Sequence, residues 1–195
     1  MAVIKIIQAG HPMLKEKNKE IPNISLSKFK NLCKDLVDTM NKTGLIGIAS
    51  PQIAKNHMIF ITYPRNTKAR KLIGKTDKLR VYINPKIIFK SEKQSLIYEG
   101  CGSVVNGDLF GPVFRSEEIE VEAMDEKNQK FRLRCNGILA RVIQHEYDHL
   151  MEIEFLEKIS DLKKILVGDY YRKTIRNSKL QKQNSLITTI DYKKV

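Results

Sequence analysis

Residues 117–151, EEIEVEAMDEKNQKFRLRCNGILARVIQHEYDHLM, carry two apolar periods in succession. Ile119, Val121 and Ala123 alternate with Glu118, Glu120 and Glu122, and Phe131, Leu133 and Cys135 alternate with Lys130, Arg132 and Arg134. Such alternation turns one row of side chains inward and the other to water, so 117–124 and 129–135 read as a strand pair. The DEKN at 125–128 supplies the hairpin turn. Cys135 falls on the inward face, where a free cysteine packs as a small hydrophobe. After Asn136, a residue type suited to capping a helix, the period changes. Ile138, Val142, His145 and His149 follow at spacings of four, three and four, predicting a helix through about Met151.

Upstream, Leu26, Phe29, Leu32, Cys33, Leu36, Val37 and Met40 recur at spacings of three and four. They predict a helix capped by Ser25 or Ser27 and stopping near Gly44. Residues 1–24 read as an irregular basic arm. LIGIASPQI at 45–53 is interrupted by Gly, Ser and Pro and cannot be a regular helix. Residues 57–63 and 79–84 read as strands joined by an exposed loop, and 95–98 as a short strand leading into EGCGS at 99–103. Downstream, a final helix is expected over roughly 160–183, followed by a polar tail. Short strands, a hairpin and separate helices predict an α+β fold of short mixed and antiparallel sheets around the helix that starts at Asn136, with a C-terminal helix. At 195 residues the chain is one domain. Residues 1–159 form its catalytic part, and 160–195 a basic helix and tail of the same domain.

The chain holds 35 Lys and Arg against 22 Asp and Glu, a formal net charge of +13, which favours acidic partners. No run approaches the ~18 apolar residues of a membrane span, so no membrane partner is expected. The start lacks a signal-peptide apolar core, and three cysteines do not make a disulfide framework; both point to the cytoplasm. There is no Trp and the basic residues are dispersed, which argues against sequence-specific nucleic-acid binding.

His145-Glu146-Tyr147-Asp148-His149 spells HExxH. On a helix, residues four apart share a face, so both imidazoles reach one metal ion, and the intervening Glu146 is placed to move a proton of bound water. A catalytic site wants a third ligand. His11 and His57 lie upstream in loop-like or strand-edge contexts, and Glu154 and Glu157 follow the helix too soon to fold back. Cys101, between Gly100 and Gly102 and just past a strand, is the favoured choice.

Three segments, in this order and separation, resemble the peptide deformylase family. The family's QHExDHL is intact as Gln144 to Leu150. Its EGCLS appears as Glu99 to Ser103 with Gly102 in place of Leu, and its GxGLAAxQ as Leu45 to Gln52 with Leu45 in place of the first Gly. Gly111 to Arg115 adds to the likeness, which spans about residues 3–157. Glu152 stands where the family has a Gly, and the loop after Ser103 is about two residues longer than usual.

The resemblance implies removal of the formyl group from the N-terminal formylmethionine of nascent polypeptides. Cys101, His145 and His149 would hold one divalent metal, natively Fe(II), with Ni or Co as active substitutes and Zn giving poor activity. Metal-bound hydroxide would attack the formyl carbon, with Glu146 as general acid and base, and Gln52 and the Gly102 N–H would hold the oxyanion. The methionine side chain would lie against Ile46, Ile138, Val142 and His145, and the peptide backbone beside residues 46–48, including Gly47. Glu99 and Arg115 would pair, and Asp148 would orient a ligand imidazole. Two rivals are a zinc endopeptidase that shares HExxH and a degenerate family member that binds metal or the ribosome without turnover. Residues 160–195 carry nine Lys and Arg against three Asp, and this surface is expected to dock on ribosomal RNA.

Overall fold

A computed structural model of the chain describes residues 3–22, 26–67, 71–72 and 74–195, together with the backbone but not the side chains of 26–28. In chain order the elements are α1 (Leu26–Thr43), β1 (Gly47–Ala49), β2 (Ile59–Thr62), β3 (Arg80–Lys90), β4 (Gln94–Gly100), β5 (Leu109–Ser116), β6 (Glu118–Met124) and β7 (Lys130–Asn136). Then follow α2 (Gly137–Leu150), β8 (Leu166–Val167), α3 (Gly168–Thr174), α4 (Lys179–Ser185) and β9 (Ile190–Lys194). A six-stranded sheet runs β1-β2-β3-β6-β7-β9 and a three-stranded one β4-β5-β8, and every named pairing is antiparallel.

The hairpin forms in the register that the alternation requires. Ile119 faces Cys135, Val121 faces Leu133 and Ala123 faces Phe131, all buried. Asn128 takes a positive φ of 62° in the turn, a conformation Asn tolerates. The large sheet is covered on both faces. Ile59 and Ile61 of β2 join a core with Leu36 and Met40 of α1, whereas Phe60 joins a second core with Leu139 and Ile143 of α2. A strand buried on both sides reads as a continuous apolar run, as β2 does.

The structure corrects several sequence expectations. Residues 160–183 are not one helix; they form one 3-10 turn, β8, α3 and the start of α4. The tail is β9, an edge strand paired to β7 with Tyr192 opposite Leu133. Asn136 does stand at the N-terminus of α2, but its side chain makes no cap hydrogen bond. Its Oδ1 instead accepts from the Thr188 and Thr189 amides at 2.9 and 3.0 Å, tying down the C-terminal segment. The serine cap of α1 lies outside the described residues. The N-terminal arm is irregular but anchored: Ile7 N–H donates to the Gln52 carbonyl at 2.9 Å and Ala9 N–H to the Ser103 carbonyl at 2.7 Å, bridging the two motif segments.

Candidate metal centre and active site

The first turn after β4 and the last turns of α2 meet at Cys101, His145 and His149. One donor atom from each lies within 4.8 Å of the others. His149 Nε2 is 3.2 Å from Cys101 Sγ, and both residues are buried. The two imidazoles stand nearly perpendicular, 77° between planes with centroids 5.2 Å apart, as expected of side chains one helical turn apart converging on a point.

Glu99, two residues before the thiol, orients one of these rings. Its Oε2 is 3.0 Å from His145 Nδ1. The same carboxyl accepts from Arg115 Nε and Nη2 at 2.7 and 3.0 Å and from Arg141 Nη1 at 2.9 Å. Burial opposes its ionisation, but the Arg115 charge, with His145 and Arg141, holds it well below the usual carboxylate range. A carboxylate there accepts the Nδ1 proton, which leaves His145 Nε2 for the cluster. Arg115 also donates to Asp148 Oδ2 at 2.7 Å. Two carboxylates and two guanidiniums thus make a buried, charge-balanced brace. The Glu99–Arg115 pair is as expected. Asp148 pairs with Arg115, and the imidazole-orienting role expected of it is held by Glu99 at His145.

Gln52 sits in the 3-10 turn at residues 50–53 after β1. Its Oε1 accepts from the Ala49 amide at 2.9 Å, which turns the NH₂ toward the cluster, 3.5 Å from Cys101 Sγ and 3.3 Å from Ser103 Oγ. Glu146 is buried, and its Oε2 has no hydrogen-bond partner among the described residues. Burial pushes its carboxyl pKa up to about 7. Gly47 makes room for it, because a Cβ there would stand 2.5 Å from Glu146 Oε1 and collide with Val142. The departures from the motif pattern have a structural setting. The Leu45 side chain lies over Gly102, and Glu152 takes the left-handed conformation (φ 58°) while its Oε1 accepts from Asn18 N–H at 3.2 Å.

A cavity of about 150 Å³ opens beside these groups. Ile46, Gly47, Ile138 and Val142 line it, as do Gln52, Gly102, His145 and Glu146. Tyr98, Tyr171 and Gln181 also line it, outside the residues expected from the sequence. The latter two come from α3 and α4, where no motif marks them.

Fold and donor set together define a metallohydrolase-type site. The family model for polypeptide deformylase matches residues 3–165, and the chain belongs to that family, an enzyme of the peptide deformylase type. It is 35% identical over 176 residues to a peptide deformylase of Pseudothermotoga lettingae, covering 90% of this chain and 94% of that one. Among solved structures, the Met-Ala-Ser-bound class I type b peptide deformylase of Acinetobacter baumannii superposes with a TM-score of 0.74 at 27% identity, covering 81% of this chain and 99% of that one. The actinonin complex of the Synechococcus elongatus peptide deformylase gives 0.71 at 27% identity, covering 83% and 81%. The family is metal-dependent.

Proposed function

We propose that this chain hydrolyses the formyl group from the N-terminal formylmethionine of nascent polypeptides. One observation carries the reading: the Cys101, His145 and His149 donors lie beside an unpartnered buried Glu146 oxygen in a cavity that has Ile46, Ile138 and Val142 on its wall. A soft thiolate and two imidazoles fit a first-row divalent metal, proposed as Fe(II), with Zn, Ni or Co taken by the same donors. Bound there, the metal would supply Lewis acidity that makes water acidic near neutral pH.

The chain's own groups do the rest. Glu146 accepts a proton from water at its unpartnered Oε2 and later delivers it to the departing amine nitrogen. Gln52 Nε2 and the Gly102 N–H donate to the oxygen that becomes negative as the carbon turns tetrahedral, each worth about 3–4 kcal/mol at that point. Ile46, Ile138 and Val142 take the methionine side chain, and its thioether adapts to such a wall. The peptide backbone pairs beside residues 46–48, so affinity comes mainly from main-chain groups. That a relative's structure holds Met-Ala-Ser supports this assignment. An endopeptidase is not favoured, since the third donor is the upstream Cys101. Residues 1–159 supply these groups and 160–195 belong to the same domain.

The ribosome is proposed as partner through the basic C-terminal surface, in the cytoplasm. Charge reversal at the exposed Lys163, Lys173 and Lys179 should reduce low-salt co-sedimentation with ribosomes; unchanged co-sedimentation would reject that surface. For the chemistry, formate release from formyl-Met-Ala-Ser, with no cleavage of an internal peptide bond, is the expected result. Internal cleavage without formate would overturn it.

A further inference from the structure

β1 and β4 are the outer strands of their two sheets, and both border the cavity. An outer strand offers the N–H and C=O of every second residue to whatever lies beside it. On β4 that row is Leu96, Tyr98 and Gly100. Tyr98 faces Pro112 on β5, which has no N–H to exchange.

Two members of the row are already engaged by α4. Gln181 Oε1 accepts from the Tyr98 amide at 2.9 Å, and Gln181 Nε2 donates to the Tyr98 carbonyl at 3.0 Å. This is the pair of bonds that a neighbouring strand would make. One turn on, Asn184 Nδ2 donates to the Leu96 carbonyl at 3.1 Å. The Gln181 amide is firmly held. The residue is buried, its Nε2 lies 3.3 Å from Tyr171 Oη, and the Tyr171 ring stacks on Phe110 at 3.9 Å. The bonds from α4 reach Leu96 and Tyr98 and stop short of Gly100, the residue next to Cys101. α4 also lies beyond residue 165, where the family match ends.

We propose that α4 acts as a side-chain substitute for a strand and ends the substrate groove. An extended peptide then pairs with β1 on one side and with β4 only at Gly100. The enzyme reads formylmethionine and the residue or two behind it, and gains nothing from further length. Gln181 is the specificity-determining residue, with Asn184 supporting it. This inference rests on the deformylation reading above.

The test is kcat/KM for formyl-Met-Ala, formyl-Met-Ala-Ser and formyl-Met-Ala-Ser-Ala-Ser on the metal-loaded full chain. Wild type should treat the last two alike. The Gln181→Ala, Asn184→Ala double variant, with melting temperature and metal content followed, should favour the pentapeptide by about fivefold, the effect expected of one recovered backbone pair. Gln181→Glu, which keeps the acceptor for the Tyr98 amide and loses the donor to its carbonyl, should show a smaller gain. A wild type that already gains about fivefold from the pentapeptide overturns the proposal on its own, whether or not the variants fold. So does a folded double variant whose ratio stays at the wild-type value. A wild type that releases no formate from any of the three overturns the deformylation reading itself. A length gain in a wild type that does release formate overturns only the role given to α4.

Discussion

The Leu45 side chain occupies the space that a side chain at position 102 would need: its Cδ1 lies 3.0 Å from where a Cβ on Gly102 would sit, with Ile6 Cδ1 at 3.3 Å. The two departures from the family pattern are therefore complementary, a Leu supplied from one motif filling the room vacated in the other. Packed groups in such contact couple strongly. Gly102→Leu alone should lower kcat/KM by about tenfold or more, and Leu45→Gly added to it should recover most of that loss. Steady-state kinetics of the four proteins in the cycle check this. A double variant no better than Gly102→Leu would show that the two positions act independently.

Gly47 and Glu146 make a second close approach. With a Cβ at residue 47 only 2.5 Å from Glu146 Oε1, Gly47→Ala must displace the carboxylate. A misplacement near 1 Å costs on the order of 100-fold in rate, so kcat should fall by about that much. Metal content should change far less. Equal kcat in variant and wild type would remove Glu146 from the proton path.

Glu99 neutralises Arg115 and Arg141 and orients His145. Glu99→Gln leaves two buried guanidiniums short of countercharge, a change that costs about 3–5 kcal/mol. It also loosens a ligand ring, for which about 10–100-fold weaker metal retention is expected. Thermal unfolding and chelator competition measure the two effects separately.

In the metal-free protein, burial raises the Glu146 carboxyl to about 7. An acid whose pKa is raised on folding contributes stability that is fully present below its unfolded value, 4.5, and is lost as pH rises through about 7. The loss amounts to roughly 3 kcal/mol across that window. The melting temperature of metal-stripped wild type should therefore fall relative to Glu146→Gln between about pH 4.5 and 7, and the difference should level off above. Parallel melting curves across the window would contradict the burial argument.

Much of the site was legible because its chemistry demands particular residues at particular spacings. His145 and His149 four apart, and Cys101 between two glycines, are readable without coordinates. The hairpin was legible because a half-buried antiparallel pair must alternate. β5 was not, since LFGPVFRS carries Gly and Pro in mid-run; Pro112 fits there because the row opposite Tyr98 needs no ladder N–H. The C-terminal helix failed for a different reason. Leu166 and Val167 pair with Phe110 and Leu109, and Gly168 N–H donates to the Asp108 carbonyl at 2.8 Å. Such long-range pairings override local periodicity and leave no local trace. The same holds for Gln181, whose importance lies in what it touches across the chain.

The proposed proton transfer by Glu146 for deformylation takes place at the Cys101, His145 and His149 site. Its most direct test is formate release from formyl-Met-Ala-Ser by anaerobically purified, Fe(II)-loaded wild type and Glu146→Ala at equal metal content. Turnover by wild type with a loss of about 100-fold or more in the variant is the expected result. Equal rates in the two proteins, or no formate from wild type, would contradict it.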